Sequence, residues 1–284
     1  MKVDVLNNEV CVQPPLPHIE QQRASRPLMI DSPELLGLAE LLGDYAPINL
    51  LAMDKVALLN RVDTKFVLTI GQLLSALEAL LEHYYVLDIH NRRLHAYQTL
   101  YYDTANFALY LAHHNGHRVR YKVRSRMYLD SQRTFVEVKQ KYGANRTKKL
   151  RLETDEFVQQ LAGAPSEFVG AHISLDPQEL EPKLLNTFSR VTLVSKHVQE
   201  RLTIDVGLGF SGNDRVQSLS GLAIIEVKQS GFQRGSDIIR QMRAMHVQPA
   251  SFSKYCIGVT SLYPHIKHNR FKPTMRLVDR IIGG

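Results

Sequence analysis

The sequence predicts an α+β fold in which about eight antiparallel strands, the number typical of a small closed barrel, surround a charged interior and carry helices outside. Three observations lead there. Residues Arg118–Arg126 alternate, with Arg118, Arg120, Lys122, Arg124 and Arg126 on one face and Val119, Tyr121, Val123 and Ser125 on the other. Five more segments repeat the alternation of polar and apolar faces. The leucines of Thr69–His83 recur at helical spacing, which supplies an apolar stripe to cover a sheet.

The five repeats fix the strands. Arg61–Leu68 sets Arg61, Asp63 and Lys65 against Val62, Thr64, Phe66 and Leu68. Phe135–Lys141 sets Glu137, Lys139 and Lys141 against Val136 and Val138. Thr147–Glu153 sets Lys149, Arg151 and Glu153 against Leu150 and Leu152. Arg201–Asp205 sets Arg201, Thr203 and Asp205 against Leu202 and Ile204, and Ala223–Gln229 sets Glu226 and Lys228 against Ile225 and Val227. A solvated edge strand carrying protective charge would show one such row. A set of such rows can instead close with the charges inward and the apolar faces under helices. Burying so many cations is costly without anions. Arg and Lys present many donors to phosphate oxygens, and neighbouring carboxylates can hold a divalent ion that bridges phosphates. The expected ligand is therefore a phosphate-rich polyanion.

In chain order, residues 1–31 carry Pro14, Pro15 and Pro17 without periodicity and read as an arm, with a domain division at 1–45, 46–264 and 265–284. Ser32 caps a helix to Gly43 with Pro33 in its first turn, and Leu50–Asn60 is a short helix. Tyr84–Ile89 and Leu94–Asp103 are strands, and Ala105–His113 is a brief helix. Gly143 and Asn145 mark a hairpin turn. Asp155–Phe188 is expected to be a helical insertion broken by Pro165 and Pro177. Strands resume at Arg190–Ser195, Val198–Val206 and Leu219–Gln229. Asp237–Val247 and Phe252–Leu262 are helical, and the tail from Lys267 is basic and loosely ordered. Glu-Val-Lys-Gln occurs twice, after apolar residues, at Glu137 and at Glu226.

The chain of 284 residues can bury a substantial core, and 44% apolar with 22% charged residues is an ordinary globular composition. A formal charge of +7 favours an acidic partner. Two cysteines, Cys11 and Cys256, exclude a disulfide scaffold and suit a reducing, cytoplasmic setting. No signal-type hydrophobic stretch or membrane-length run occurs, while a membrane-bound partner is left open. His113, His114 and His117 lie beside the cationic strand, which disfavours zinc there. Tyr97, Tyr101, Tyr102 and Tyr121 suit packing or base stacking, and no glycine-rich phosphate loop is present; Gly207 and Gly209 form at most a flexible turn.

An ordered set of short pieces resembles a known family. They are RVDTKF at Arg61–Phe66, TLYYDT at Thr99–Thr104, VRYKVRSRMY at Val119–Tyr128 and FVEVKQK at Phe135–Lys141. After these come the basic run Arg146–Arg151, SKHVQERLTID at Ser195–Asp205, IIEVK at Ile224–Lys228 and SFSKY at Ser251–Tyr255. Together they resemble the VTC-type polyphosphate polymerase domain of the CYTH-like triphosphate tunnel metalloenzymes. The resemblance implies a β-tunnel that binds ATP and inorganic polyphosphate with Mn²⁺ or Mg²⁺ and transfers the terminal phosphoryl group to a growing chain. It implies phosphate binding by Lys65, Arg124, Arg126, Lys139, Lys149, Arg190, Arg201 and Lys254, and a metal on Glu226. The shared strand faces add Arg61, Arg118, Arg120, Lys122, Arg151 and Lys228 as phosphate contacts and Glu137 as a second metal candidate; a Glu–Lys pair would equally explain either glutamate. Many tunnel relatives carry Glu-x-Glu-x-Lys in the first strand, where this chain reads Arg61-Val62-Asp63-Thr64-Lys65. That departure argues against ordinary triphosphatase chemistry. The rivals are hydrolysis of tripolyphosphate, polyphosphate or nucleotide in the same tunnel, and a non-catalytic module binding polyphosphate or RNA, with nucleic acid the less expected partner.

Overall fold

A computed structural model describes residues 33–54, 62–143, 146–231 and 235–283. The arm, the Ser32 cap, Arg61 and Asn145 lie outside them. Helix α1 (Pro33–Asp44), strand β1 (Pro47–Ile48) and helix α2 (Leu50–Asp54) lead to strand β2 (Val62–Thr69). Thr69 then starts helix α3 (Ile70–Glu78): its hydroxyl accepts from Gln72 N, and the Gln72 side chain accepts from Thr69 N, so two otherwise orphaned donors are satisfied. Next come β3 (Tyr84–Leu87), β4 (His95–Thr104), α4 (Ala108–Asn115), β5 (Arg120–Tyr128), β6 (Arg133–Tyr142), β7 (Arg146–Thr154) and α5 (Gly163–Gly170). The chain ends with β8 (Leu180–Ser195), β9 (Glu200–Gly212), β10 (Arg215–Leu219), β11 (Leu222–Gln229), α6 (Asp237–Ala244), α7 (Lys254–Leu262) and α8 (Lys272–Ile282). No helix among the described residues is long and apolar enough to cross a membrane.

Two expectations are corrected. The supposed insertion Asp155–Phe188 is helical only at α5 and a turn at Pro177–Glu179; from Leu180 it is the first half of β8. Leu184, Asn186 and Phe188 are buried with period two, and β4 and β9 on either side satisfy the backbone. Pairing on both edges overrides the helical appearance of the local sequence. The basic tail is also ordered: α8 packs Val278, Met275 and Ile281 onto the core, with Lys272, Arg276 and Arg280 along the same helix.

Eight strands form one path, β2-β11-β9-β8-β4-β5-β6-β7, antiparallel at every step. Among the described residues β7 and β2 share no ladder, so hydrogen bonds do not close the barrel. The sheet nevertheless curls on itself: Lys139 of β6 feels the charges of Lys65 on β2 and Glu226 on β11, from opposite ends of the path. The fold is thus an antiparallel tunnel with helices around it.

The outer face of β2, β11, β9 and β8 (Phe66, Leu68, Ile225, Val227, Leu202, Ile204, Val191, Leu193) is covered by α1, α3 and α6. The outer face of β5 and β6 (Val123, Val136, Val138) is covered by Leu109 of α4 and Val169 of α5. The inner face is divided along its length. Gly207, at φ +61°, inserts one residue into β9 opposite Thr187–Ser189 of β8. Before this bulge Arg201, Thr203 and Asp205 face inward; after it Leu208 and Phe210 do. These join Val67, Ile224, Leu184 and Phe188 around α7, most of whose residues are buried. One half of the tunnel is therefore apolar and filled by α7, with α8 behind it, and the other half is charged.

Candidate phosphate-binding tunnel

In the charged half, three inward carboxylates are each held by two cations. Glu226 Oε1 lies 2.5 Å from Lys65 Nζ, and its Oε2 lies 2.7 Å from Lys228 Nζ. The Thr203 hydroxyl donates to Oε2 at 3.4 Å. Glu137, only 1% exposed, accepts from Arg124 Nε at 2.7 Å and ion-pairs with Lys149 at 2.5 Å. Asp205 receives a two-pronged contact from Arg190, Nε at 2.6 Å and Nη2 at 2.8 Å, and a further bond from Lys254. Burial alone would raise all three carboxyls. The cations outweigh it and hold each well below the usual carboxylate range: Lys228 and Lys65 at Glu226, Arg124, Arg126 and Lys149 at Glu137, and Arg190 and Lys254 at Asp205.

Further cations remain. Among the described residues Lys122, Arg126 and Lys139 have no carboxylate within ion-pair distance. Lys122 Nζ donates to the Ser253 hydroxyl at 2.8 Å. Arg126, 7% exposed, donates to the Thr99 hydroxyl at 3.3 Å and lies 5.6 Å from the Tyr97 ring centre. Burial and neighbouring cations push Lys122 down, and the same causes bring Lys139, which keeps an open side to solvent, to about 8.

The floor of this half is aromatic. Tyr97 stacks on Phe188 at 5.1 Å, and Tyr101 stacks on Tyr255 at 5.0 Å. Lys254 Nζ lies 4.2 Å and the Arg190 guanidinium 5.3 Å from the Phe188 ring centre, so cation–π attraction holds both without neutralising them. The N-terminus of α7 opens onto the same space: Ser253 caps it by accepting from Cys256 N, and its free amides add positive potential.

Most residues anticipated from the sequence converge here: Lys65, Lys122, Arg124, Arg126, Lys139, Lys149, Arg190, Lys228, Lys254, Glu137 and Glu226. Arg201 is half-buried two residues before Thr203 on the same strand face, opposite Lys228 in the ladder. Arg151 is exposed at the rim, 5.1 Å from the Phe135 ring centre. Arg120 is half-buried and donates to the His117 carbonyl at 3.0 Å. Arg118 falls outside the cationic row, because β5 begins only at Arg120 and Arg118 is exposed in the preceding loop. The candidate histidines serve separate ends: His113 contacts the Tyr121 carbonyl, His114 contacts Asn115 and accepts from Arg270 N, and His117 is exposed. Of the tyrosines, Tyr97 and Tyr101 face the tunnel, while the Tyr102 hydroxyl donates outside to Val158 O.

Sequence reasoning passed over Asp205, Thr203, Ser253 and Thr99. The alternation Arg201-Thr203-Asp205 already placed Asp205 inward. Its importance rests on Arg190 and Lys254, which come from other elements.

The chain is similar in fold to several solved structures. A proposed adenylate cyclase from Bacillus halodurans shares 11% identity over 72% of this chain and 97% of its own, with a TM-score of 0.47. A proposed adenylyl cyclase from Hippeastrum, described as having a dominant triphosphatase activity, shares 14% identity over 71% of this chain and 96% of its own, at 0.47. The S. pombe RNA triphosphatase Pct1 shares 11% identity over 93% and 98%, at 0.27. No curated protein matches the chain. The family model for the VTC domain matches residues 60–263. That span runs from β2 through α7 and takes in all the tunnel cations and carboxylates, and on it the chain belongs to the VTC-domain family.

Proposed function

We propose that the tunnel binds ATP and inorganic polyphosphate and, with Mn²⁺ or Mg²⁺, transfers the terminal phosphoryl group of ATP to the end of the polyphosphate chain. The observation that carries this reading is the surplus of inward cations: among the described residues Lys122, Arg126 and Lys139 have no carboxylate within ion-pair distance, while Glu137, Asp205 and Glu226 beside them are already taken. Such a surface is incomplete until an anion with many oxygens fills it. Membership of the VTC-domain family supports the same substrate class.

In the reaction, an oxygen of the terminal polyphosphate group forms a bond to the γ-phosphorus of ATP, the bond to the β–γ bridging oxygen breaks, and ADP leaves with that electron pair. Lys65, Arg124, Arg126 and Lys139 hold the equatorial and bridging oxygens in line and neutralise them. Lys122, Lys149, Arg190, Arg201, Lys228 and Lys254 grip the remaining phosphates, with Arg151 and Arg120 towards the rim. The carboxylates fit an ion that arrives on the phosphates and takes one protein oxygen, not an ion caged by protein alone. Glu226 is suited to this because its charged partners are flexible lysine stems, free to move to phosphate, and its one other contact is a long bond from the Thr203 hydroxyl. Glu137, forked by Arg124 and buried, fits better as the group that orients Arg124 and Lys149. When bound, the ion neutralises phosphate charge and polarises the transferred phosphorus.

The test is to incubate the purified full chain with ATP and Mn²⁺ and to resolve the products on a polyphosphate gel. Chains that lengthen as ATP becomes ADP are expected. Phosphate release without lengthening would replace the reading with hydrolysis, and tight binding without turnover would make the tunnel a binding module. Glu226→Gln is expected to abolish Mn²⁺-dependent turnover while metal-free ATP binding persists; a wild-type rate in this variant would reduce Glu226 to a partner of Lys65 and Lys228.

A further inference from the structure

Outside the tunnel, three potential metal ligands from separate parts of the chain meet. His83 closes the turn after α3, His197 sits in the turn between β8 and β9, and Asp237 is the first residue of α6. His83 Nδ1 lies 3.4 Å from His197 Nε2 and 3.6 Å from Asp237 Oδ2, and one ligand atom from each residue falls within a common 4.8 Å. An ion bound tetrahedrally with bonds of about 2.0–2.1 Å has ligand–ligand edges of about 3.4 Å. The two shorter separations match that edge. The imidazole rings meet at 68° with centres 5.5 Å apart, so they converge through ring nitrogens rather than stack face to face.

The surroundings hold the three groups in place. Lys196 N donates to the His83 carbonyl at 2.9 Å, and the amides of His197 and Val198 donate to Ser195 Oγ, which fixes the turn carrying His197. Ile238 N donates to the Tyr84 hydroxyl, which in turn donates to Glu200, so the start of α6 is tied to the residue following His83. Arg240 donates to Asp237 Oδ1 and leaves Oδ2 turned towards His83. An outer partner of this kind orients a ligating carboxylate. Two nitrogens with one oxygen select a borderline divalent ion over Mg²⁺, which prefers oxygen alone.

We infer that His83, His197 and Asp237 form a second, tunnel-independent site for a borderline divalent ion of the Zn²⁺ class, which clamps α6 and the β8–β9 turn to the end of α3. A fourth position is open to water. The role is structural: the ion joins three segments on the outer side of the sheet, away from the phosphate contacts.

The experiment uses the full chain after chelator treatment and dialysis, with Zn²⁺ and then Co²⁺ as probes. Expected are saturable binding of one Zn²⁺ by calorimetry that survives in Glu226→Gln, a rise in melting temperature with Zn²⁺ but not with Mg²⁺, and visible absorption characteristic of tetrahedral Co²⁺. His197→Ala changes an exposed side chain and should fold. It is expected to lower Zn²⁺ affinity at least about tenfold, the loss caused by disturbing even an outer partner, and to abolish the Zn²⁺-dependent thermal shift. Asp237→Asn should weaken binding in the same direction. Unchanged Zn²⁺ affinity in His197→Ala, or no Zn²⁺ binding by the wild type, overturns the inference. In either case His83 and its neighbours are simply hydrogen-bonded to one another.

Discussion

Arg124 and Arg126 are two residues apart on one strand face, yet their surroundings assign them different burdens. Arg124 ion-pairs with the buried Glu137, whereas Arg126 touches only a hydroxyl and a ring and reaches Glu137 at longer range, an attraction outweighed by its burial and by repulsion from Arg124. Arg126→Ala should therefore leave the unliganded protein as stable or more stable, because a buried, repelled cation disappears. It should weaken tripolyphosphate binding by about 1.5–3 kcal/mol, the contribution of a charge-assisted bond. Arg124→Ala should weaken binding too, but it also leaves the buried Glu137 with Lys149 as its one ion-pair partner, at a stability cost of about 1–3 kcal/mol, that of a buried acceptor losing its donor. Calorimetric affinities together with denaturant midpoints separate the two; equal loss of stability in both variants would contradict this assignment. Lys139 adds a pH test. Burial and then its cationic neighbours bring its pKa from the ordinary lysine range to about 8, below its unfolded value. The folded state therefore binds fewer protons than the unfolded one between about pH 8 and 10. As pH rises through that window, the Lys139 contribution should stabilise the unliganded protein while affinity for tripolyphosphate falls. Comparing wild type with Lys139→Met from pH 7 to 10 isolates it: the variant should lose most of the pH dependence assigned to this residue.

At the scale of elements, the two Glu-Val-Lys-Gln strands occupy matching places. β11 is second from one end of the sheet path and β6 second from the other, and each presents its glutamate inward to a lysine of the adjacent edge strand, Lys65 or Lys149. The repeat was visible in the sequence, and so was the inward face, because period-two alternation is a local property. Less legible was β8, whose strand character depends on neighbours far away in the chain. The division of the tunnel was also hidden: it arises from one extra residue at Gly207 that turns Leu208 and Phe210 inward, and from α7, whose even burial gives no amphipathic stripe. Asp205 escaped notice for a related reason, since nothing near it in sequence announces Arg190 and Lys254. The closeness of α7 to the sheet can be tested at Gly258. A Cβ there would lie 2.6 Å from Leu184 Cδ2 and 2.7 Å from Phe210 Cδ1. Gly258→Ala should destabilise by about 1–3 kcal/mol through overpacking, read as a lowered urea midpoint. A neutral result would mean that α7 can withdraw from the sheet at little cost.

For the whole molecule, the curled sheet keeps its inner charges within reach of one another while, among the described residues, β2 and β7 stay unjoined by a ladder. Surface docking of a polyanion should fade steeply as salt is raised, because every contact is screened. Contacts inside the tunnel are shielded from bulk ions, so tripolyphosphate should remain bound at moderate salt and displace RNA at comparable phosphate concentration. Failure to displace RNA would favour an exposed nucleic-acid surface instead.

The α7 plug gives the charged space the shape of a blind alley. A guest can occupy it only up to the wall formed by Phe188, Phe210 and Tyr255, and any further length has to trail out past the mouth into solvent. The site should consequently act as a ruler for the first few phosphates and be indifferent to the rest. Measured across a series from pyrophosphate to long polyphosphate, affinity per chain end should climb steeply and then level off once the alley is full. A continued rise with length would show that the chain finds a path past α7.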